Sequence, residues 1–278
     1  MQWRCRHRTI DLRRPIVMGI LNVTPDSFSD GSRYATVDLA LEHAGRMVAE
    51  GASIIDVGGE SSRPGAQGVE ASVEIARVVP VIEGIAATFN IAISIDTAKP
   101  NVMSAAVAAG ACIINDIHAL RAPGAREVAA QTQAGVCLMH MQGEPRTMQD
   151  RPRYKDVVAE VIAFLRRERQ SCIDAGVASY TKAFVPGIGF GKGLEHNLAL
   201  LKELPRIAAL EAPLMLGVSR KRMIGDILGK ALDERLYGGL GLASLAVANG
   251  ARIIRTHDVG PTRDAIRSVS AVLQGIMT

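Results

Sequence analysis

Eight short apolar runs, most of them rich in β-branched residues, recur along the chain, and a stretch with helical spacing follows each one. The runs are Ile16 to Val23, Ile54 to Val57, Ile91 to Ile95, Cys112 to Ile117, Val136 to Met141, Ala183 to Val185, Leu214 to Val218 and Arg252 to Thr256. Helical periodicity shows, for example, at Val73, Ala76, Val78 and Ile82, and again at Val157, Val161, Phe164 and Leu165. A strand followed by a helix must cross back over the sheet before the next strand begins, so strand–helix pairs in series predict parallel strands. The joints repeat as well: Glu50-Gly51-Ala52, Ala109-Gly110-Ala111, Ala134-Gly135-Val136, Ala175-Gly176-Val177 and Asn249-Gly250-Ala251 each close a helix just before a strand. Glycine there supplies the left-handed residue that ends a helix. Eight such units in 278 residues predict an α/β fold, a single (β/α)8 TIM barrel. An open doubly wound sheet would carry a glycine fingerprint after its first strand, and Ile20 to Pro25 has none. No linker or shift of composition marks a boundary, so residues 1–278 read as one domain, with 1–14 as an N-terminal extension or short hairpin.

Composition then narrows the function. Lys and Arg total 32 against 28 Asp and Glu, a formal charge of +4, and 25 of those 32 bases are Arg. A rigid guanidinium fork suits phosphate and carboxylate, which hints at an anionic ligand. The arginines are scattered apart from Arg166-Arg167 and Arg151 to Arg153, and aromatic residues make up 4% of the chain, too few for base stacking, so no nucleic-acid partner is expected. Cys5, Cys112, Cys137 and Cys172 show no C-x-x-C spacing and read as buried thiols of a reducing compartment. Met1 to Arg14 is too rich in Arg for a secretory signal, and no apolar run reaches the roughly 18 residues of a membrane span. The expectation is a soluble, cytoplasmic protein.

In a parallel barrel the chemistry gathers where the strands end at their carboxyl side. Those exits are polar: Asn22, Thr24 and Asp26; Asp56 and Glu60 to Arg63; Asp96; Asn115 and Asp116; His140 and Gln142; Ser219 to Lys221; Arg255 and His257. One Asp or Asn after a strand is often only a turn residue. Capping does not account for Asp96 after Ile95 or Asn115 after Ile114, polar residues set inside apolar runs. Arg63, Arg220, Lys221, Arg255 and His257 form a group that would neutralise a multiply charged anion such as diphosphate, and Asn22 offers a neutral oxygen to a hard cation such as Mg²⁺. Asp96 and Asn115 offer an acceptor and a donor to the edge of a flat heterocycle. No nucleophile–base pair and no H-E-x-x-H string supports covalent or zinc hydrolysis. The stretch Pro186 to Gly193 fails the Walker pattern, because Pro186 and Gly193 stand where Gly and Ser or Thr are required. It reads as a flexible turn where backbone approaches a planar ligand, or as an ordinary loop. Residues 24–34 and 61–68 read as lids over the site or as mobile surface.

Taken together, Gly19 to Gly31, Asp56 to Gly65, Ser94 to Thr97, Asn115 to Ile117, Met139 to Gly143, Pro186 to Lys192, Ser219 to Lys221 and Arg255 to His257 resemble the dihydropteroate synthase family, pterin-binding TIM barrels of the folate pathway. The resemblance runs in family order across nearly the whole chain. It implies a transferase that condenses 6-hydroxymethyl-7,8-dihydropterin diphosphate with p-aminobenzoate, releasing diphosphate and 7,8-dihydropteroate, with Mg²⁺ as cofactor. Residue by residue, it implies that Asp96, Asn115 and Lys221 grip the pterin with Met139 lining its slot. It likewise implies that Asn22, Arg63, Arg255 and His257 surround the diphosphate and Mg²⁺, with Ser61 and Ser62 in the same loop as Arg63. Phe28, Pro64, Phe190, Ser219 and the stem of Lys221 form the p-aminobenzoate pocket, where sulfonamides compete. It also implies a homodimer formed through the late helices, around Leu236 to Val247 and Ala265 to Leu273. Two positions depart from the family pattern. Ser62 stands where Thr is more usual, and Val185 stands where the family carries an Asp that accepts hydrogen bonds from the pterin. Val185 is the feature that favours an alternative, a pterin-binding paralogue with reduced or no turnover.

Overall fold

The computed structural model describes residues 1–24, 33–61 and 68–275. An antiparallel hairpin, β1 (Gln2–Cys5) and β2 (Arg8–Asp11), comes first. Eight parallel strands follow: β3 (Ile16–Asn22), β4 (Ile54–Gly58), β5 (Ala92–Asp96), β6 (Ile113–Asp116), β7 (Gly135–Met139), β8 (Lys182–Val185), β9 (Met215–Gly217) and β10 (Ile253–Thr256). Each is followed by helix: α1 (Arg33–Ala49), α2 (Ala71–Thr88), α3 (Pro100–Ala109), α4 (Ala125–Thr132), α5 (Val157–Asp174), the pair α6 (Leu194–Lys202) and α7 (Leu204–Ala208), the pair α8 (Arg222–Leu228) and α9 (Leu236–Ala248), and α10 (Val259–Gln274). The strands pair in the order β8-β7-β6-β5-β4-β3-β10-β9. A parallel bridge from Phe184 to Leu214, with the Phe184 N–H donating to the Pro213 carbonyl at 2.8 Å, closes the ring. The fold is therefore the (β/α)8 barrel that the repeat predicts.

Strand alternation divides the core in two. Val17, Leu21, Ile55, Val57, Ile93, Ile95, Ile114, Val136, Leu138, Phe184, Leu216 and Ile254 face the helices in one buried cluster. Met18, Ile54, Ala92, Ile113, Cys137, Met139, Ala183, Val185, Met215 and Ile253 face the lumen in another. Trp3, Cys5 and Leu12 join the lumen cluster and are fully buried, so the hairpin closes the amino-terminal end of the barrel. The Trp3 indole N–H donates to the Thr181 carbonyl at 2.7 Å and the Arg6 N–H to the Gln133 carbonyl at 2.8 Å. Among the described residues all four cysteines are free and buried.

Two local expectations shift. Gly51, Gly110, Gly176 and Gly250 take positive φ at their joints, but at the fourth strand-to-strand joint Gln133 does so (φ 55) and Gly135 begins β7. A Cβ on Gly135 would overlap the Cys5 Sγ, so that glycine makes room for the hairpin. In α2 the buried face is Glu74, Val78, Val81, Ile82 and Ile85, whereas Val73 is exposed. The helix is apolar over most of its surface, which leaves its phase to be set by packing.

Candidate active site

The same alternation that places Ile54, Ala92 and Ile113 in the lumen puts Asp56, Asp96 and Asn115 on the lumen side nearer the carboxyl ends of β4, β5 and β6. On β10, Arg255 follows Ile253 by the same two-residue step. The four side chains meet. Arg255 donates through Nε to Asp56 Oδ2 at 2.6 Å and through Nη2 to Asp96 Oδ2 at 2.6 Å, and Asn115 Nδ2 donates to Asp56 Oδ2 at 3.0 Å. Asp56 is fully buried, and its Oδ1 accepts no hydrogen bond among the described residues; the Ser94 hydroxyl, its register partner, is likewise buried without a partner. One guanidinium thus serves two carboxylates. Burial and the neighbouring Asp56 charge push the Asp96 carboxyl up to about 7 against the pull of Arg255. Burial works against the Arg255 charge, yet Asp56 and Asp96 hold its pKa above the ordinary value.

Opposite this network the wall is apolar. Met139 and Val185 are register partners, each with no more than 6% of its surface exposed. Phe190 packs against the same cluster, and the Lys221 ammonium lies 4.1 Å from the centre of its ring. Burial lowers the Lys221 pKa to about 7, with Arg255 adding to the effect and Asp96 opposing it. At the rim of β9 and β10, the Ser219 hydroxyl lies 3.0 Å from His257 Nδ1 and accepts the His257 backbone N–H at 3.2 Å. Asn22 ends β3 facing Gly58; a Cβ on Gly58 would come 3.6 Å from both Asn22 Oδ1 and the Asp96 Cβ. Glycine there leaves a gap between amide and carboxylate.

Asn22, Asp96, Asn115, Met139, Val185, Phe190, Ser219, Lys221, Arg255 and His257 are therefore brought to the carboxyl end of one barrel. Phe28, Ser62, Arg63 and Pro64, with most of both candidate lid loops, lie outside the described residues. Four other exits do different work. Asp116 faces away from the lumen and accepts the backbone N–H groups of His118 and Leu120, each at 2.7 Å, as a turn residue does. Gln142 is tied to the Arg153 backbone. Arg220 is committed to Asp258 at 2.6 Å. His140 is buried against Lys192, and burial together with that charge takes its pKa down to about 3.

The glycine stretch is also not a loose turn. A Cβ on Gly187 (φ 73) would overlap the His140 carbonyl oxygen, and one on Gly191 (φ 62) the Gln142 carbonyl oxygen, so the close approach is to the protein's own backbone. Asp56 lies at the centre of the polar network, although the resemblance assigned it no role. Its setting between Ile55 and Val57 is the same signal that marks Asp96 and Asn115.

A charged, hydrogen-bonding edge facing an apolar wall at the mouth of a barrel suits a flat, polar-edged ring that carries an anion. Residues 18–257 match the sequence profile of the pterin binding enzyme family. The dihydropteroate synthase of Escherichia coli (strain K12) is 51% identical over 265 residues, covering 95% of this chain and 94% of that one. The chain belongs to the dihydropteroate synthase family. The dihydropteroate synthase of Yersinia pestis in a sulfonamide drug complex superposes with a TM-score of 0.93 at 47% identity, covering 98% of this chain and 99% of that one. The Xanthomonas albilineans enzyme with 4-aminobenzoic acid gives a TM-score of 0.93 at 46% identity, covering 98% of both chains.

Proposed function

We propose that this dihydropteroate synthase family member condenses 6-hydroxymethyl-7,8-dihydropterin diphosphate with p-aminobenzoate at the carboxyl end of its barrel. The observation that carries the proposal is the Arg255–Asp56–Asp96–Asn115 network set against the Met139–Val185–Phe190 wall. It would hold a pterin edge on and flat, with Lys221 at the Phe190 side. Bond breaking comes first: the C–O bond to diphosphate opens and its electron pair leaves with the diphosphate, while the electron-rich ring spreads the positive charge of the exocyclic methylene. Arg63, Arg255 and His257 stabilise the departing anion. The arylamine nitrogen then forms the C–N bond and sheds a proton. Positioned between Phe28, Pro64, Phe190, Ser219 and the Lys221 stem, it needs no strong base, so His257 acts as an anion-binding group.

Mg²⁺ belongs to the same proposal. Among the described residues no group of three or more His, Cys, Asp or Glu is placed to hold a metal. Asn22 Oδ1, a single neutral oxygen beside the mouth, fits a hard cation that keeps waters and takes its other ligands from substrate phosphate. Bound there, the ion would neutralise diphosphate charge. Diphosphate release with both substrates and Mg²⁺ tests the proposal: product and diphosphate in equal amounts support it, loss of release in chelator supports the metal, and no release under any condition refutes the reaction. The non-catalytic alternative suggested by Val185 is not favoured, given identity near one half along almost the whole chain.

Tyr237 and Leu245 on α9 and Val272 and Leu273 on α10 are exposed, which supports the homodimer that the resemblance implies; sedimentation tests it. Four buried free thiols suit a cytoplasmic setting, and no helix among the described residues is long and apolar enough to cross a membrane. Continuous strand pairing and the buried hairpin support one domain over residues 1–278.

A further inference from the structure

Behind the slot the protein buries a second lysine. Lys192 is 2% exposed, and its ammonium lies 2.9 Å from His140 Nδ1. It also donates to the carbonyls of Phe190 at 2.9 Å, Gly187 at 3.0 Å and His140 at 3.3 Å. No carboxylate is among these partners. Burial and the Lys221 charge pull its pKa well down, while four acceptors around three ammonium protons favour the charged form. A cation held this way is costly, so its place in the fold calls for a use.

Lys192 organises one thing, the turn that carries Phe190. Its ammonium ties the Gly187 and Phe190 carbonyls to the end of β7, and the Phe190 N–H donates back to the Gly187 carbonyl at 3.1 Å. Neighbours take three further backbone groups: Asn197 Oδ1 accepts the Gly189 N–H at 2.8 Å, Gln149 donates to the Gly189 carbonyl at 2.6 Å, and Tyr154 donates to the Gly191 carbonyl at 2.8 Å. With the Gly187, Gly189, Phe190 and Gly191 carbonyls engaged, the turn presents the Phe190 ring to Lys221.

We propose that Lys192 is a positioning residue, whose ammonium, acting through the Phe190 peptide, fixes the Phe190 ring against Lys221 and so sets the width of the arylamine side of the slot. The inference rests on the proposed condensation.

The test is a double-mutant cycle in the full-length protein, with Lys192→Met and Phe190→Leu, reading KM for p-aminobenzoate and kcat at saturating dihydropterin diphosphate. Lys192→Met alone should raise KM about tenfold or more with kcat changed less than about threefold. In the Phe190→Leu background it should add almost nothing. A KM rise of equal size in both backgrounds, or a lower kcat at unchanged KM, overturns the inference. If Lys192→Met does not fold, Asn197→Ala loosens the same turn without touching a buried charge; it should give the same KM pattern at smaller amplitude, and an unmoved KM overturns the inference there too. Wild-type protein that releases no diphosphate would refute the reaction, whereas turnover with KM unmoved in every variant would refute only the role of Lys192.

Discussion

Replacing Val185 by Asp puts a carboxylate on the apolar wall of the slot, and the structure sets both its cost and its gain. Val185 is 6% exposed and faces the lumen beside Met139, in the cluster that includes Phe190. Phe190 in turn carries Lys221, whose charge is opposed by burial and by Arg255 and supported by Asp96. A buried carboxylate at position 185 would give Lys221 a counter-charge and the bound ring a charged acceptor. A hydrogen bond to a charged acceptor contributes about 1.5–3 kcal/mol, which at about 1.4 kcal/mol per tenfold corresponds to a gain of roughly 10- to 150-fold in kcat/KM. The Lys221 pKa should also rise from its depressed value of about 7. If the charged form of Lys221 holds the ring, wild-type activity falls as pH rises through that value, and Val185→Asp moves this limb to higher pH. Diphosphate release by wild type and Val185→Asp, measured on both sides of neutrality, checks both effects. Unchanged kcat/KM with an unchanged alkaline limb would refute the reasoning. It would mean that the ring already has its acceptor, and Asp56 Oδ1, buried without a donor, would be the atom to examine.

The charged mouth should also shape the stability of the ligand-free protein. The Asp96 pKa rises from 3.8 to about 7 on folding, so its contribution is full below 3.8 and is lost as pH climbs towards 7. The Lys221 pKa falls from 10.5 to about 7, so its contribution is full above 10.5 and is lost as pH drops towards 7. The first penalty persists above neutrality and the second below it, so the two act together at full size only around pH 7. Urea midpoints should show Asp96→Asn flattening the acid side of the profile and Lys221→Met the alkaline side; parallel curves would contradict the shifts. Trp3→Ala should cost about 3–5 kcal/mol, because the ring is fully buried and its N–H is bonded to Thr181, while the folded fraction keeps its kcat and KM, since the hairpin closes the opposite end of the barrel. Gly187→Ala adds left-handed strain to a carbonyl overlap and should cost about 3 kcal/mol or more; a loss below about 1 kcal/mol would show that the turn is loose after all.

The architecture was legible because a parallel barrel strand is buried on both faces and therefore stands out as an unbroken apolar run. The same fact hides which way each residue points. Asn115 and Asp116 are adjacent and equally polar, yet one joins the lumen network and the other caps a turn. His140 and Gln142 leave β7 beyond its last paired residue, where alternation gives no guide. The register supplied by neighbouring strands separates these cases, and register is a property of the closed ring rather than of any one run. In the Pro186 to Gly193 stretch the glycines at 187, 189 and 191 suggest a flexible turn by composition alone. Their alternation up to a single lysine was the more informative pattern, since it describes backbone wrapped around an ammonium.

That difference in legibility matches a physical division within the site. Residues proposed to meet ligand directly, such as Asp96, Asn115 and Lys221, interrupt apolar runs or close them, and are conspicuous because water cannot explain their polarity. Residues that hold the first set in place satisfy one another inside the protein, as Lys192 does with three carbonyls and an imidazole, and look like ordinary loop composition. Asp56 is placed between the two sets: Oδ2 accepts from Arg255 and Asn115, while the buried Oδ1 has no donor among the described residues. A buried carboxylate oxygen without a donor is costly, and here it lies beside the network proposed to read the ring. If Asp56 serves only as a strut, Asp56→Asn should weaken substrate binding no more than the loosened Arg255 clamp requires. If Oδ1 also accepts a ring N–H, the same change should lower pterin affinity by roughly a further 10- to 150-fold, the worth of a hydrogen bond to a charged acceptor, and calorimetric titration of a pterin into wild type and Asp56→Asn separates the two.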